Sequence, residues 1–426
     1  MKRTKVLALA FLVAAGMFTA CGSSSSAPQG SGGASSQAGS TSSSPDSQTK
    51  TLNMWYHISP NQATVLQKFL AKFTDETGIA VETQSVPFSE MKKQLSVGVA
   101  AGKLPDVALC DTVDNLSFAA MGAAVDITAE VEAWGEIDNF YDGPRSSAVY
   151  EDRYYGLPFY SNDLAIMYNK TIFDEMEIAY PTSGWTWDDF KVLVEKTTTP
   201  EHYGLSMCLF KSEEGTFNVI PFLWQAGADY NTLDQAPALE TLSMITDFYQ
   251  KGYMSSELIS MTQADMCSAL FASGKSAMMV AGSWLNTNIK NENPDLQYGA
   301  VEFPKNATNA SVLGGGNIMM LSDANRESAW ELMKFLNTKD NQRTYCEEAS
   351  YLPPRRDSAE SSDRWSSDPV LSVYQKQMEV ARARGPHPQW PQISSAIQFA
   401  VQDSLAGVKT PEQALKDAAK EIANIK

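Results

Sequence analysis

The chain has 426 residues, 43% hydrophobic and 19% charged, which is enough apolar material for sizeable cores and a length suited to two domains. Its 50 acidic residues outnumber the 33 basic ones, giving a formal net charge of −17. A body this acidic is repelled at long range by nucleic acid and by anionic membrane surfaces, so neither is an expected partner.

The first element is MKRTKVLALAFLVAAGMFTAC. Lys2, Arg3 and Lys5 precede an apolar stretch, and small residues run up to Cys21. Residues 1–20 have the form of a secretory signal peptide, too short for a comfortable membrane span. Phe18-Thr19-Ala20-Cys21 resembles the bacterial lipobox, with Phe18 standing where leucine is usual. That resemblance implies lipid attachment at Cys21 and anchoring to the outer face of the cell membrane. Residues 21–50 are nearly all Ser, Gly, Ala and Gln, a composition that buries no apolar area. They are expected to form a flexible tether spanning roughly 30 Å. Four further cysteines, Cys110, Cys208, Cys267 and Cys346, are widely spaced without a C-x-x-C motif. Buried free thiols are the default reading, and a disulfide among them stays open.

The body begins with an extended run, Thr51 to Tyr56. Val65, Leu66, Phe69, Leu70 and Phe73 then recur at helical spacing, with Gly78 past the end. Residues 79–86 read as a second strand, and residues 88–105 as a helix stopped by Gly102 and Pro105. Asp106 to Asp111 reads as a short buried strand. This alternation predicts an α/β fold with doubly wound parallel sheets. Tyr154 to Phe173 is an extended segment long enough to leave one domain and enter another. From about Trp187 to Thr338 helices dominate, punctuated by strands at 276–280, 298–301 and 317–321. Two helices close the chain, the second opened by Thr410-Pro411-Glu412.

Catalytic signatures are sparse. Gly274-Lys275-Ser276 looks like the tail of a phosphate-binding loop, but Ala269 stands where the first glycine belongs. The order is also helix, glycine, strand, the reverse of what that motif needs. Gly274 reads instead as a helix C-cap, and Ser283 as the N-cap of the helix after the strand. Ser89 and Lys92 match S-x-x-K without its companion motifs. The three histidines, His57, His202 and His387, form no H-E-x-x-H, so neither a metal site nor a cofactor is expected. Convergent carboxylates of a glycosidase are not excluded by spacing.

Aromatic residues are plentiful, with 9 Trp, 16 Tyr and 18 Phe. Several stand at predicted strand ends, where ligands bind in open α/β sheets. Flat rings can stack on sugar faces while Asp, Asn, Arg and Glu hold hydroxyls. For any one of them, core packing is the competing reading.

The segments GKLPDVALCD, YGLPFYSNDLAIMYNKTIF, TWDDF, LFASGKSAMMVAGSW, LGGGNIMM, LPPRR and TPEQALKDAAKEI occur in an order that resembles family 1 extracellular solute-binding proteins. These are sugar-binding lipoproteins of ABC importers, maltodextrin-binding proteins among them. The resemblance runs from Leu52 to the C-terminus. It implies a two-lobed periplasmic-binding-protein-like fold (type II), each lobe a doubly wound sheet flanked by helices, with a ligand cleft between. Residues 51–160 plus 310–350 would form the N-terminal lobe, and 161–309 plus 351–426 the C-terminal lobe. The implied partners are a mono- or oligosaccharide and the permease subunits, and the protein would act as a monomer without catalysis. The implied ligand contacts are Tyr56 and His57 after the first strand, Asp111 after the third, and Tyr160, Asn162 and Asp163 at the first crossing. Asn162 replaces the glutamate of maltodextrin-binding relatives. Trp224 and Trp284 would be stacking platforms. Gly315 and Gly316 would let backbone amides approach the ligand, with Arg355 and Trp390 closing the far side. An exported carbohydrate-active enzyme, a receptor for another solute, and a signalling receptor are the alternatives.

Overall fold

Thr51–Tyr56 (β1) alternates in burial, with Leu52, Met54 and Tyr56 turned into the core. In this computed structural model, which describes residues 50–425 except 386, β1 is followed by the helix Pro60–Thr77. Proline at its start needs no N–H partner, and Gly78 ends it in the left-handed region (φ 73°). Val65, Leu66, Phe69, Leu70 and Phe73 are its buried stripe, as their spacing predicts. Ala80–Ser85 (β2), the helix Phe88–Ala101 and Val107–Asp111 (β3) complete a βαβαβ unit. β1 pairs in parallel with both β2 and β3. Cys21 and the expected signal and tether lie outside the described residues.

A small hairpin, Val149–Tyr150 (β4) with Arg153–Tyr154 (β5), leads into the long strand Leu157–Asn169 (β6). The strand ends sooner than the extended reading to Phe173, because Asn169 caps a helix starting at Lys170. Tyr203–Ser206 (β7), Ser276–Gly282 (β8), Tyr298–Val301 (β9), Ser311–Met320 (β10) and Ala381–Ala383 (β11) follow. β10 begins six residues before the predicted strand at Asn317, since Gly314–Gly316 are strand residues too.

The strands run β2-β1-β3-β10-β6-β8-β7, with β11 beside β10 and β9 beside β6. β1–β3 are mutually parallel, and so are β7 and β8. The long strands depart from the all-parallel expectation: β10 is antiparallel to β3 and β6, and β6 to β8 and β9. β6 changes partners part-way. Its residues up to Asp163 pair β10, and those from Leu164 onward pair β8 and β9. It thereby joins one group of strands to the other.

Before β8, the helical turn Cys267–Ala272 is π-helical, and Gly274 follows at φ 77°. Lys275 N–H closes back onto the Leu270 carbonyl at 2.7 Å, so the glycine does terminate a helix. Ser283 does not cap the next helix, Leu285–Glu292; its hydroxyl donates to the Ser350 carbonyl instead, at 2.9 Å. Cys110, Cys208, Cys267 and Cys346 are all buried free thiols. Among the described residues no helix is long and apolar enough to cross a membrane.

Candidate functional site

β1 and β3 both end at one cavity of about 360 Å³. His57 follows β1, and Asp111 is the last residue of β3. This is the carboxyl end of the parallel strands, the usual ligand position in such sheets. Tyr160 and Asn162 reach the same cavity from β6, and Gly315 from β10. The facing wall comes from later in the chain. Glu213, Glu214 and Phe217 lie in the first turns of the helix Glu213–Ala226, and Trp284 stands directly after β8.

Four glycines make room for this arrangement, three of them on β10. A Cβ on Gly314 would overlap Asn162 Oδ1 and come within 2.8 Å of the Phe217 ring. On Gly316 it would lie 2.5 Å from the Tyr160 ring, and on Gly315 (φ 141°) it would strike the Tyr160 carbonyl. β10 is therefore glycine-rich because β6 and the Glu213 helix press side chains against it. Gly282 does the same for Trp284, whose ring occupies the space where a Cβ would stand.

The polar floor is a buried ionic network. Arg384 donates to both oxygens of Asp111, at 2.7 and 3.0 Å, and to Glu213 Oε1 at 2.6 Å. Its guanidinium also lies over the Phe217 ring, 4.5 Å from the centroid. Trp390 Nε1 donates to Glu213 Oε1 at 2.9 Å, and Ser394 donates to Oε2. Burial raises the Glu213 carboxyl above its ordinary range, while Arg384 and those two donors oppose the shift. Burial also lowers the proton affinity of His57. Several polar atoms around the cavity have no partner: His57 Nε2, Asn162 Oδ1, Gln263 Oε1 and Arg384 Nε. Buried polar atoms of this kind cost stability unless a ligand or water engages them.

The description "bacterial extracellular solute-binding protein" belongs to the family whose model matches residues 68–372. The chain belongs to this family. Among its relatives, the galactooligosaccharide-binding protein of Bacillus subtilis is 25% identical, over 82% of this chain and 84% of that one. An ABC transporter solute-binding protein of Thermotoga lettingae, solved with α-D-tagatose, is 29% identical with a TM-score of 0.81, covering 88% of this chain and 98% of that one. Maltose-bound MalE3 of T. maritima, at 21% identity, shares the fold, with a TM-score of 0.80 over 88% and 99% of the two chains. These two-lobed relatives match the architecture described above.

In this solute-binding protein the cavity gathers six of the expected contacts: His57, Asp111, Tyr160, Asn162, Trp284 and Gly315. The other six lie elsewhere, each for a physical reason. Tyr56 and Asp163 fall one residue out of phase: a strand alternates its faces, so each points away from its cavity-lining neighbour. Gly316 lies under the Tyr160 ring and supplies space rather than an amide to a ligand. Trp224 is at the far end of its helix, ten residues and so about 15 Å from Glu214, and is buried in the core. Arg355 is held by Asp357, Glu136 and the Asn337 carbonyl, under the rings of Trp134 and Phe140. Trp390 is buried behind Glu213, which it positions without lining the cavity. Sequence reasoning missed Glu213, Glu214, Phe217, Gln263, Tyr351 and Arg384.

Proposed function

We propose that this solute-binding protein captures a mono- or oligosaccharide in the cavity and delivers it to the permease of an ABC importer, without chemical change to the ligand. The observation that carries the reading is one cavity combining aromatic walls (Trp284, Phe217, Tyr160) with unpartnered polar atoms on His57, Asn162, Gln263 and Arg384. Rings suit the apolar faces of a sugar, and the polar atoms suit its hydroxyls. The sugars named for the relatives point the same way. Ligand touching His57 on one side and Glu214 and Trp284 on the other binds the closed arrangement best and shifts the population towards it. The lobes would be 51–160 plus 310–350, and 161–309 plus 351–426, turning about β6 and β10.

Catalysis is not part of this reading. Asp111 and Glu213 are both committed to Arg384, which leaves Glu214 without the second free carboxylate that glycoside hydrolysis uses. The functional unit would be a monomer, held at the outer face of the cell membrane by lipid on Cys21. Substituting Cys21→Ala should move the protein from the membrane fraction to the medium; unchanged fractionation would remove the anchor from the proposal.

A thermal-shift panel tests the ligand. A saccharide at about 100 times its Kd should stabilise the protein by roughly 2.7 kcal/mol. If peptides or polyamines raise Tm and no saccharide does, the sugar reading is wrong.

A further inference from the structure

Among the described residues lining the cavity, three carboxylates (Asp111, Glu213, Glu214) face a single guanidinium, Arg384. That guanidinium is largely engaged: two of its nitrogens are bound to Asp111 and Glu213, its face covers Phe217, and only Nε is without a partner. Glu214 is differently placed. Its Oε2 accepts from Gln263 N–H at 2.8 Å and lies 3.8 Å from Cys208 Sγ. Its Oε1 has no partner among the described residues. Gln263, whose backbone it holds, is 7% exposed and lines the cavity with an unpartnered Oε1. The buried Asn162 Oδ1 is likewise unpartnered at the cavity.

We infer that the cleft takes only carbohydrates without negative charge, and that Glu214, paired with Gln263, is the residue that enforces this by presenting acceptors to a ligand hydroxyl or amine. This deepens the sugar-binding reading and rests on it. A uronate, sulfated or phosphorylated sugar would bring an anion into a site whose three carboxylates outnumber its one guanidinium, which already pairs two of them. Like charges in a desolvated site are strongly unfavourable. A neutral or amine-bearing sugar supplies the donors that Glu214 Oε1, Gln263 Oε1 and Asn162 Oδ1 lack.

The test is calorimetry with galactose, glucose and their short oligosaccharides, the matching uronic acids, and the matching 2-amino sugars. The neutral or amino member of a series should bind at least about tenfold more tightly than its uronate. In Glu214→Gln, which retains an acceptor for Gln263 N–H, that ratio should shrink towards one. A uronate that binds as tightly as its neutral counterpart, or a ratio untouched in Glu214→Gln, overturns the inference while leaving the sugar reading intact. If no member of any series binds, the sugar reading falls, and the inference with it.

Discussion

Arg355 and Arg384 look alike in isolation. Each is a buried arginine bound to two carboxylates, and each lies over aromatic rings. Their surroundings differ. The Arg355 partners, Glu136 and Asp357, are 45% and 29% exposed, and Asp357 is only two residues away in sequence. The Arg384 partners, Asp111 and Glu213, are 7% and 20% exposed and arrive from strand β3 and from the facing helix. Arg355 fastens a loop whose carboxylates water can still reach. Arg384 is the one cation shared by two carboxylates largely shut off from water, at the floor of the binding cavity. Burial and an ion pair alone do not make a site residue; the origin of the partners does.

Substituting each arginine with methionine gives the largest contrast. Arg384→Met leaves two buried carboxylates unpaired and should cost about 3–5 kcal/mol in denaturant unfolding. It should also weaken saccharide binding by a hundredfold or more, because Asp111 and Glu213 are released into the cavity. Arg355→Met should cost less, about 1–3 kcal/mol, since its partners regain water. Its saccharide affinity should stay within about threefold of the parent. Equal affinity losses in the two variants would erase the distinction drawn here.

A second contrast sets Trp224 against Trp284, both of which the sequence offers as stacking platforms. Trp224→Ala empties a core position and should lower stability by about 3–5 kcal/mol. Trp284 is only partly buried and borders the cavity, so Trp284→Ala should cost binding about 2 kcal/mol, roughly thirtyfold in Kd, with a smaller loss of stability. The ratio of Kd change to unfolding change, measured for both variants, sharpens the division between core and cleft. A Trp224→Ala protein that folds normally and binds poorly would reverse the assignment.

Much of this division was hidden in the sequence for definable reasons. Local periodicity located β1, β2, β3 and the helices between them, and the left-handed glycines at 78, 102 and 274 marked helix ends, because those signals span only a few residues. The strand end before Trp284 was legible in the same way. Phase was harder. Choosing Tyr56 as well as His57, and Asp163 as well as Asn162, amounts to missing which face of a strand meets the cavity, a question only the tertiary fold answers. Arg384 gave no local signal at all, since its partners lie 273 and 171 residues away. Glu213 and Glu214 resembled the acidic first turn that any helix favours. The start of β10 at Gly314–Gly316 went unread because nothing in the sequence says which side chains will need their space.

Asp163 gives the prediction with the cleanest sign. It stands where β6 changes partners, is wholly buried, and both its carboxylate oxygens lack hydrogen bonds. Burial pushes its carboxyl well above the usual value of 3.8. In the unfolded chain this group releases its proton near pH 3.8, while in the native protein it holds the proton to higher pH. Between those two points the unfolded state binds fewer protons, so stability falls as pH rises. Asp163→Asn removes the titration and keeps the shape. The variant should therefore melt above the parent at pH 7, and the advantage should fade as pH drops towards 3.8. An advantage that persists unchanged at low pH would mean that packing, not the proton, sets the cost of this residue.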